Sequence, residues 1–512
     1  MPQKSRTAMT KQNAKASVIN RIITLFCNFI GRTFFIKCLA SEYLGVGGMF
    51  GNVFAVLSLC ELGFGEAVSQ AMFKPLAKND MKEIGGLLHY YKRVYRYIAL
   101  VNFALCMAVL PFLHRLFPDV VKIENYRAVY LLFVASQMMS YYFAPKRALV
   151  VSDQRIYVIM NVRTVCSFLV TASQILWLLS THNYFGYLFL RILFQFIDGI
   201  VVEMYADKKY GISGSIKEYN LAEHRKASIK KNTAALSLHR IGGVINNSTD
   251  SILLSSRLGL SRMGVYSNYS LIINSLGSFI ALAVSSASAS VGNLGAEENR
   301  EKSEKILSVL TFANFYMLTN CAAVMLCVIN PVISLWIGEG MCFSAVETAV
   351  IIACFYMSYI RDPVQIFLRN YGVFESTKLM PIIRGLLNLV LSFIFVNKYG
   401  VTGVFAGTLI STIAVPFLFE PYMLFKHGFG SKCGHFVKKY VGYVVSSFII
   451  CAVSQFLSVF ITSEGIVGII LKSFTALGVT NAALIILFGR KDEFSRLFGM
   501  IMRKIRKGID KG

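Results

Sequence analysis

A chain of 512 residues and 57.1 kDa is long enough for two or three soluble domains. Its composition excludes them, because 55% of the residues are hydrophobic and only 15% charged, against about 25% charged in an average soluble domain. The balance of 52 Lys and Arg over 27 Asp and Glu gives +25, which in a soluble protein would suggest nucleic acid; in so apolar a chain it belongs to loops on one side of a membrane, and no nucleic-acid partner is expected.

Residues 1–16 read as a polar tail, and the first apolar block is too long for a cleavable signal peptide. Blocks long enough to cross a bilayer as helices then follow in turn. They run at 17–39, 47–71, 92–113, 127–144, 156–180 and 185–205, then at 227–254, 264–291, 306–331, 346–368, 379–397 and 402–425, and finally at 437–462 and 465–488. The predicted fold class is an all-α polytopic membrane protein with about fourteen transmembrane helices. Residues 206–226 form the longest polar connector and divide a first six-helix lobe (17–205) from a second (227–425), with helices 437–488 appended. The tail 489–512 places Phe494, Leu497, Phe498, Ile501, Met502 and Ile505 on one helical face and most of its basic residues elsewhere, as a basic amphipathic helix on an anionic leaflet would.

Fourteen spans put both termini on one side. Lys92, Arg93, Arg96, Arg127, Lys230, Lys231, Arg361, Lys438 and Lys439 are counted with the adjoining loops although the span bounds include them. With the N-terminus inside, the cytoplasmic segments then hold 38 Lys and Arg and the external loops 6, the other 8 being counted within spans. The bias predicts cytoplasmic N- and C-termini. The eleven Cys lie mostly in apolar blocks and make no CxxC, so they read as small buried residues, and no metal site is expected.

The two lobes resemble each other. LGVGGMFGN from Leu44 to Asn52 parallels LGLSRMGVYSN from Leu258 to Asn268, sharing G-x-[FY]-[GS]-N at Gly48–Asn52 and Gly264–Asn268. Further on, 147–165 parallels 369–387 and sets Arg163 beside Arg384. Six spans return the chain to its starting side, so the repeats run in parallel and are expected to pack about an axis along the membrane normal, with a cavity between them.

Leu44-Gly45, Gly48 and Glu61-Leu62-Gly63-Phe64-Gly65 in the first lobe, with Asp250-Ser251-Ile252-Leu253-Leu254, Leu258-Gly259 and Gly264-Val265-Tyr266 in the second, resemble the polysaccharide transporter family. These are the Wzx-like O-antigen and capsule flippases of the multidrug/oligosaccharidyl-lipid/polysaccharide (MOP) superfamily. Glu61 stands where an Asp is common. The resemblance covers nearly the whole chain. It implies a fourteen-helix, two-lobed, V-shaped alternating-access transporter in the bacterial inner membrane, moving undecaprenyl-pyrophosphate-linked oligosaccharide. A polysaccharide polymerase and glycosyltransferases are the partners it implies, beside membrane lipids.

Charges inside spans point to the working surface. Arg21, Lys37 and Lys472 sit near helix ends and can reach the interface. Arg32, Arg163, Arg191, Arg240 and Arg384 lie deeper, where each costs at least about 2.5–3.5 kcal/mol if it faces lipid. They are expected to meet water, a counter-charge or an anionic ligand. A guanidinium offers diphosphate a planar fork of two hydrogen bonds at any working pH, so these five, with Asn28 and Asn247, are the candidate substrate residues. Arg21, Asn28 and Arg32 share a stripe, as do Arg191, Gln195 and Asp198. The span at 227–254 is the most polar, with His239, Arg240, Asn246, Asn247 and Asp250, and Gly242-Gly243 where it could bend. The alternative is pairing inside the protein, Arg191 with Asp198 or Arg240 with Asp250.

Asp250, Asn246, Glu61 and Asp198 are the candidates for ion coupling, to sodium or a proton, with Glu66 as a further carboxylate; no cofactor is expected beyond that ion. No phosphate loop, HExxH or nucleophile elbow occurs, so no enzyme activity is expected. A lipid II flippase or a multidrug cation antiporter of the same superfamily is the alternative reading, and a membrane glycosyltransferase or ligase the alternative from another class. Reporter fusions after Gly186 and Gly465 are expected to read periplasmic, and those after Gly214 and Lys432 cytoplasmic. A periplasmic signal at Gly214 would overturn the span count.

Overall fold

The computed structural model describes residues 6–61, 63–211, 221–285, 291 and 300–499. Among them the regular structure is helical throughout. In chain order the helices are α1 (Arg6–Cys38), α2 (Ser41–Leu57), α3 (Phe64–Lys78), α4 (Met81–Val109), α5 (Tyr126–Ser152), α6 (Ile156–Thr181), α7 (Tyr184–Tyr210) and α8 (Glu223–Leu253). Then come α9 (Leu260–Ser285), α10 (Arg300–Ile337), α11 (Ala345–Tyr359), α12 (Asp362–Asn370), α13 (Met380–Thr412), α14 (Leu418–Met423), α15 (Gly434–Val459) and α16 (Gly465–Phe488). Ten helical stretches among the described residues are long and apolar enough to cross a membrane. One of them, Met380–Phe429, is 50 residues long and holds two expected spans, parted at Gly400, whose φ of 55° and ψ of −129° break the helix. The broken pair α2–α3 and the more polar α5 and α8 account for the other three. The chain is a multi-pass helical membrane protein.

Two differences from the expected spans matter. The span at 47–71 is not continuous: α2 ends in a 3-10 turn, Ser58–Glu61, and α3 begins after Gly63, whose φ of 74° favours a residue without a Cβ. Glu61 therefore sits at a helix break. The other lies in the α3–α4 region, where helix continues well outside the expected spans. α3 runs to Lys78 and α4 starts at Met81, capped by the Asp80 carboxylate, which accepts from the Glu83 amide at 3.0 Å.

The chain divides into two compact units, Met1–Gly264 and Val265–Gly512. In the first unit, α1 packs along α6, α7 packs on α5 and α6, and α8 packs on α2 and α3. Its core holds Phe35, Met49, Phe50, Phe54 and Tyr130, with Phe54 stacked on Tyr130 at 5.3 Å. The repeated glycine motifs meet here. A Cβ at Gly45 would stand 2.0 Å from the Leu260 carbonyl oxygen, and one at Gly264 would stand 2.3 Å from that of Ser41. Backbone-to-backbone approach of this kind is the use of small residues between membrane helices, where burial of apolar surface gives no drive. Beside it Asp119 accepts from the Leu260 amide at 3.1 Å and pairs with Lys122 at 2.8 Å, and these bonds hold its carboxyl below the usual carboxylate range.

In the second unit α10 packs against α11, α15 and α16. Polar contacts join these helices: Thr319 and Tyr356 both meet the Ser447 hydroxyl at 2.6 Å, and Asn481 donates to Asn320 at 2.9 Å and accepts from Tyr316. Phe315 stacks on Tyr443 at 4.6 Å. Hydroxyl and amide bonds of this type hold helices together where both faces would otherwise be equally content in lipid.

Candidate functional site

The first unit gathers two of the five deep arginines. Arg32 projects from α1, half-buried, and Arg191 from α7, exposed. Tyr187 lies one helical turn before Arg191, and Phe35, whose ring meets that of Tyr187, lies one turn after Arg32. Tyr187 is itself held edge-on by Phe35 at 5.1 Å and stacked with Tyr184 at 6.1 Å. The Arg191 guanidinium stands over the Phe133 ring at 5.9 Å, a favourable placement for a planar cation. A small cavity here is lined by Leu132, Phe133, Ser136, Leu188, Arg191 and Ile192. Its polar edge is fixed: Ser136 donates to the Gln195 side-chain oxygen at 2.5 Å, and the Gln195 amide donates back to the Ser136 carbonyl at 2.9 Å and to Ser140 at 3.0 Å. Tyr187 carries no charge, and in the sequence nothing sets it apart from Tyr184, Phe185 and Phe189 of the same span.

Arg163 is exposed on α6, Asn28 is exposed on α1, and Arg384 is half-buried on α13 in the second unit. The side chains of His239, Arg240 and Asn247 lie outside the described residues, so the suggested Arg240–Asp250 pair does too. Asp250 is buried at 8% exposure. Asn246 donates to the Gly242 carbonyl at 2.7 Å, one turn back on its own helix. α8 runs as unbroken helix through Gly242-Gly243, and the interruption comes later, in the π turn Leu254–Leu258 and at Gly259 with φ 93°.

The suggested Arg191–Asp198 pair is replaced by another. Asp198, buried at 7% exposure, bonds Arg147 from α5. The reason is geometric: Arg191 and Asp198 share a helix stripe two turns apart, whereas α5 packs directly on α7. One residue earlier, Lys146 holds both Glu203 and Asp207 at 2.7 Å. Lys146 and Arg147 follow a proline and read in sequence as loop charges; the helix α5 instead continues through Pro145 to Ser152. Glu61, at the α2–α3 break, accepts a hydrogen bond from Tyr95 of α4, while Glu66 is exposed.

A stronger ion pair went unnoticed in the second unit. Arg361, tallied among loop residues by sequence, is 7% exposed and grips Glu420 by Nε to Oε2 at 2.9 Å and by a second nitrogen to Oε1 at 2.5 Å. Gln365 adds a donor to Oε1 at 3.3 Å. The signal available was a lone basic residue in one apolar block and a lone acid in another.

The described cysteines are free, and no cluster of three or more His, Cys, Asp or Glu side chains suited to a metal occurs among the described residues.

No protein-family model matches the chain, and no curated protein matches it. Solved structures do. The lipid II flippase MurJ in an inward closed conformation superposes with a TM-score of 0.65 at 13% identity, over 93% of this chain and 98% of that one. An inward-facing MATE multidrug resistance transporter of the MOP superfamily gives 0.58 at 14% identity, over 79% and 97%. A point mutant of the Vibrio cholerae MATE transporter VcmN gives 0.51 at 14% identity, over 83% and 99%. The chain has the fold of these MOP superfamily flippases and transporters.

Proposed function

We propose that the chain is an alternating-access flippase for undecaprenyl-pyrophosphate-linked oligosaccharide repeat units, working in the bacterial inner membrane for O-antigen, capsule or exopolysaccharide synthesis. The observation that carries the reading is the Phe35–Tyr187 ring contact at 5.1 Å, which brings α1 and α7 together with Arg32 one turn before Phe35 and Arg191 one turn after Tyr187, on a fold also seen in a lipid flippase and in drug transporters. Deep guanidinium groups suit a diphosphate and repel a cationic drug. Arg32, Asn28 and Arg191 would hold the diphosphate, with Arg163, Arg240, Asn247 and Arg384 along its route. Asp250, Asn246, Glu61 and Asp198 are the groups through which a sodium ion or proton would couple. Asp198 is the least suited of these as it stands, because Arg147 already neutralises it.

The likeness to MurJ favours a second reading, a lipid II flippase, since that substrate carries the same lipid diphosphate and differs in its sugar. Two strains separate the readings. In cells lacking their repeat-unit flippase, expression of this chain is expected to restore surface polysaccharide. In cells depleted of their lipid II flippase it is expected not to restore growth. Growth rescue without polysaccharide would exchange the two readings, and rescue of neither in well-expressing cells would refute both.

A further inference from the structure

α4 carries a charged face that the transport reading leaves unused. His89, Arg93 and Arg96 stand at i, i+4 and i+7 and so share one side of the helix, with Lys92 at its margin. The buried side of α4, with Tyr91, Tyr95, Asn102 and Cys106, is opposite. Arg93 and Arg96 are exposed. Arg93 lies 3.0 Å from His89 Nε2, and among the described residues no carboxylate pairs with Arg93 or Arg96. The only acid on α4 is Glu83, which pairs with Arg225 at 2.5 Å. Glu203 and Asp207, on α7, are already held by Lys146. Like charges at this helical spacing repel one another, and no acid among the described residues relieves them.

The same face continues along the helix into Leu100 and Phe103, 64% and 45% exposed. An exposed apolar strip on a helix long enough to cross a membrane is what a lipid-facing surface presents. Residues 97–113 are apolar but for Asn102 and cover about 25 Å at about 1.5 Å per residue, close to the thickness of a bilayer's hydrocarbon. Arg96 and Arg93 then stand just beyond the hydrocarbon, at headgroup level. By the Lys and Arg bias this is the cytoplasmic leaflet, whose surface is negative.

We propose that this face of α4 is a binding site for an anionic phospholipid of the bilayer, with Arg93 and Arg96 donating to its phosphate oxygens and Leu100 and Phe103 lying along its acyl chains. Forked donors favour a phosphate over a diffuse negative surface. The apolar strip below the arginines favours a lipid over a soluble phosphate.

The full chain, purified in detergent and given equal amounts of phosphatidylglycerol and phosphatidylcholine, is measured by native mass spectrometry. Wild type is expected to retain phosphatidylglycerol over phosphatidylcholine by about fivefold or more. Arg93→Gln with Arg96→Gln is expected to bring that ratio near unity, and the Arg93→Lys with Arg96→Lys variant to lie between. Lys208→Gln with Lys209→Gln, removing two charges from the end of α7, is expected to leave it unchanged. An equal loss in that control would mean that net charge alone decides, and the site would be lost. Displacement of phosphatidylglycerol by an equal concentration of polyprenyl diphosphate, dependent on the two arginines, would assign the face to the transported lipid and overturn the proposal.

Discussion

Glu420→Ala is expected to lower the stability of the purified protein by about 3–5 kcal/mol, the largest effect of a single substitution in the second unit. Arg361 and Glu420 are 7% and 8% exposed. Their bidentate contact at 2.9 and 2.5 Å satisfies two charges that the helix packing shields from water. Removing the acid strands a guanidinium in that packing, and the loss is mainly that of the stranded charge. The pair also has a geometric task. α14 is a six-residue segment between two π turns, Ile413–Phe417 and Leu424–Phe429, and carries Pro421 with Pro416 just before it. Helix with so many interrupted hydrogen bonds needs an outside hold, and Glu420 supplies one to the start of α12. Arg361→Ala is expected to behave like Glu420→Ala. Arg361→Met with Glu420→Leu replaces both charges by apolar volume and is expected to recover most of the loss. Thermal unfolding followed by size-exclusion in detergent reads all three. Single variants that melt with wild type would show the pair to be dispensable.

This pair shows where sequence reading stops. Apolar block length anticipated eleven of the fourteen expected spans as long apolar helix, because a bilayer sets a characteristic length. Chain direction and helix type then leave few folds, and the resemblance to MOP transporters agrees with the superposition on MurJ and MATE structures. Charge placement was less legible. Lys146 and Arg147 read as loop cations because they follow the 127–144 block, and Arg361 was counted with a loop although it lies in the 346–368 block; in the structure α5 continues through Pro145, and Arg361 stands at the buried break between α11 and α12. Whether a basic residue beside a span is wet or buried depends on the neighbouring helix, which sequence periodicity does not name. The same holds for partners. Asp198 was within reach of Arg191 on its own helix, yet α5 brings Arg147 to it. Gly63 and Gly65, just after Glu61, are the local residues that permit the helix break there, but the bond of Glu61 to Tyr95 comes from a helix thirty-four residues away. The repeated glycines are the opposite case. They were found as a sequence repeat, and the structure supplies their physical reason in the carbonyl contacts of Gly45 and Gly264.

Arg32→Lys is expected to reduce transport by roughly tenfold while leaving the protein folded, and Arg32→Ala to abolish it. One charge-assisted hydrogen bond is worth about 1.5–3 kcal/mol, and it is lost when a planar fork becomes a single ammonium. Arg32 is the sharpest test because it lies deep in its span, one turn from the Phe35–Tyr187 contact that Arg191 flanks from a different helix. A residue serving assembly through charge alone would tolerate lysine, since the ammonium keeps both the charge and most of the reach. A residue reading a diphosphate would not, because the two parallel donors are what an ammonium lacks. Arg240, its equivalent as the deep arginine of the span that opens the second repeat, is expected to respond in the same order, Lys impaired and Ala inactive. Arg21→Lys, at an exposed position on the same helix stripe, is expected to transport as wild type does. The readout is surface polysaccharide in a strain lacking its own flippase, divided by the amount of folded protein in the membrane. Equal polysaccharide from wild type, Arg32→Lys and Arg240→Lys would remove the diphosphate from this site, and with it the reason for so many guanidinium groups inside the bilayer.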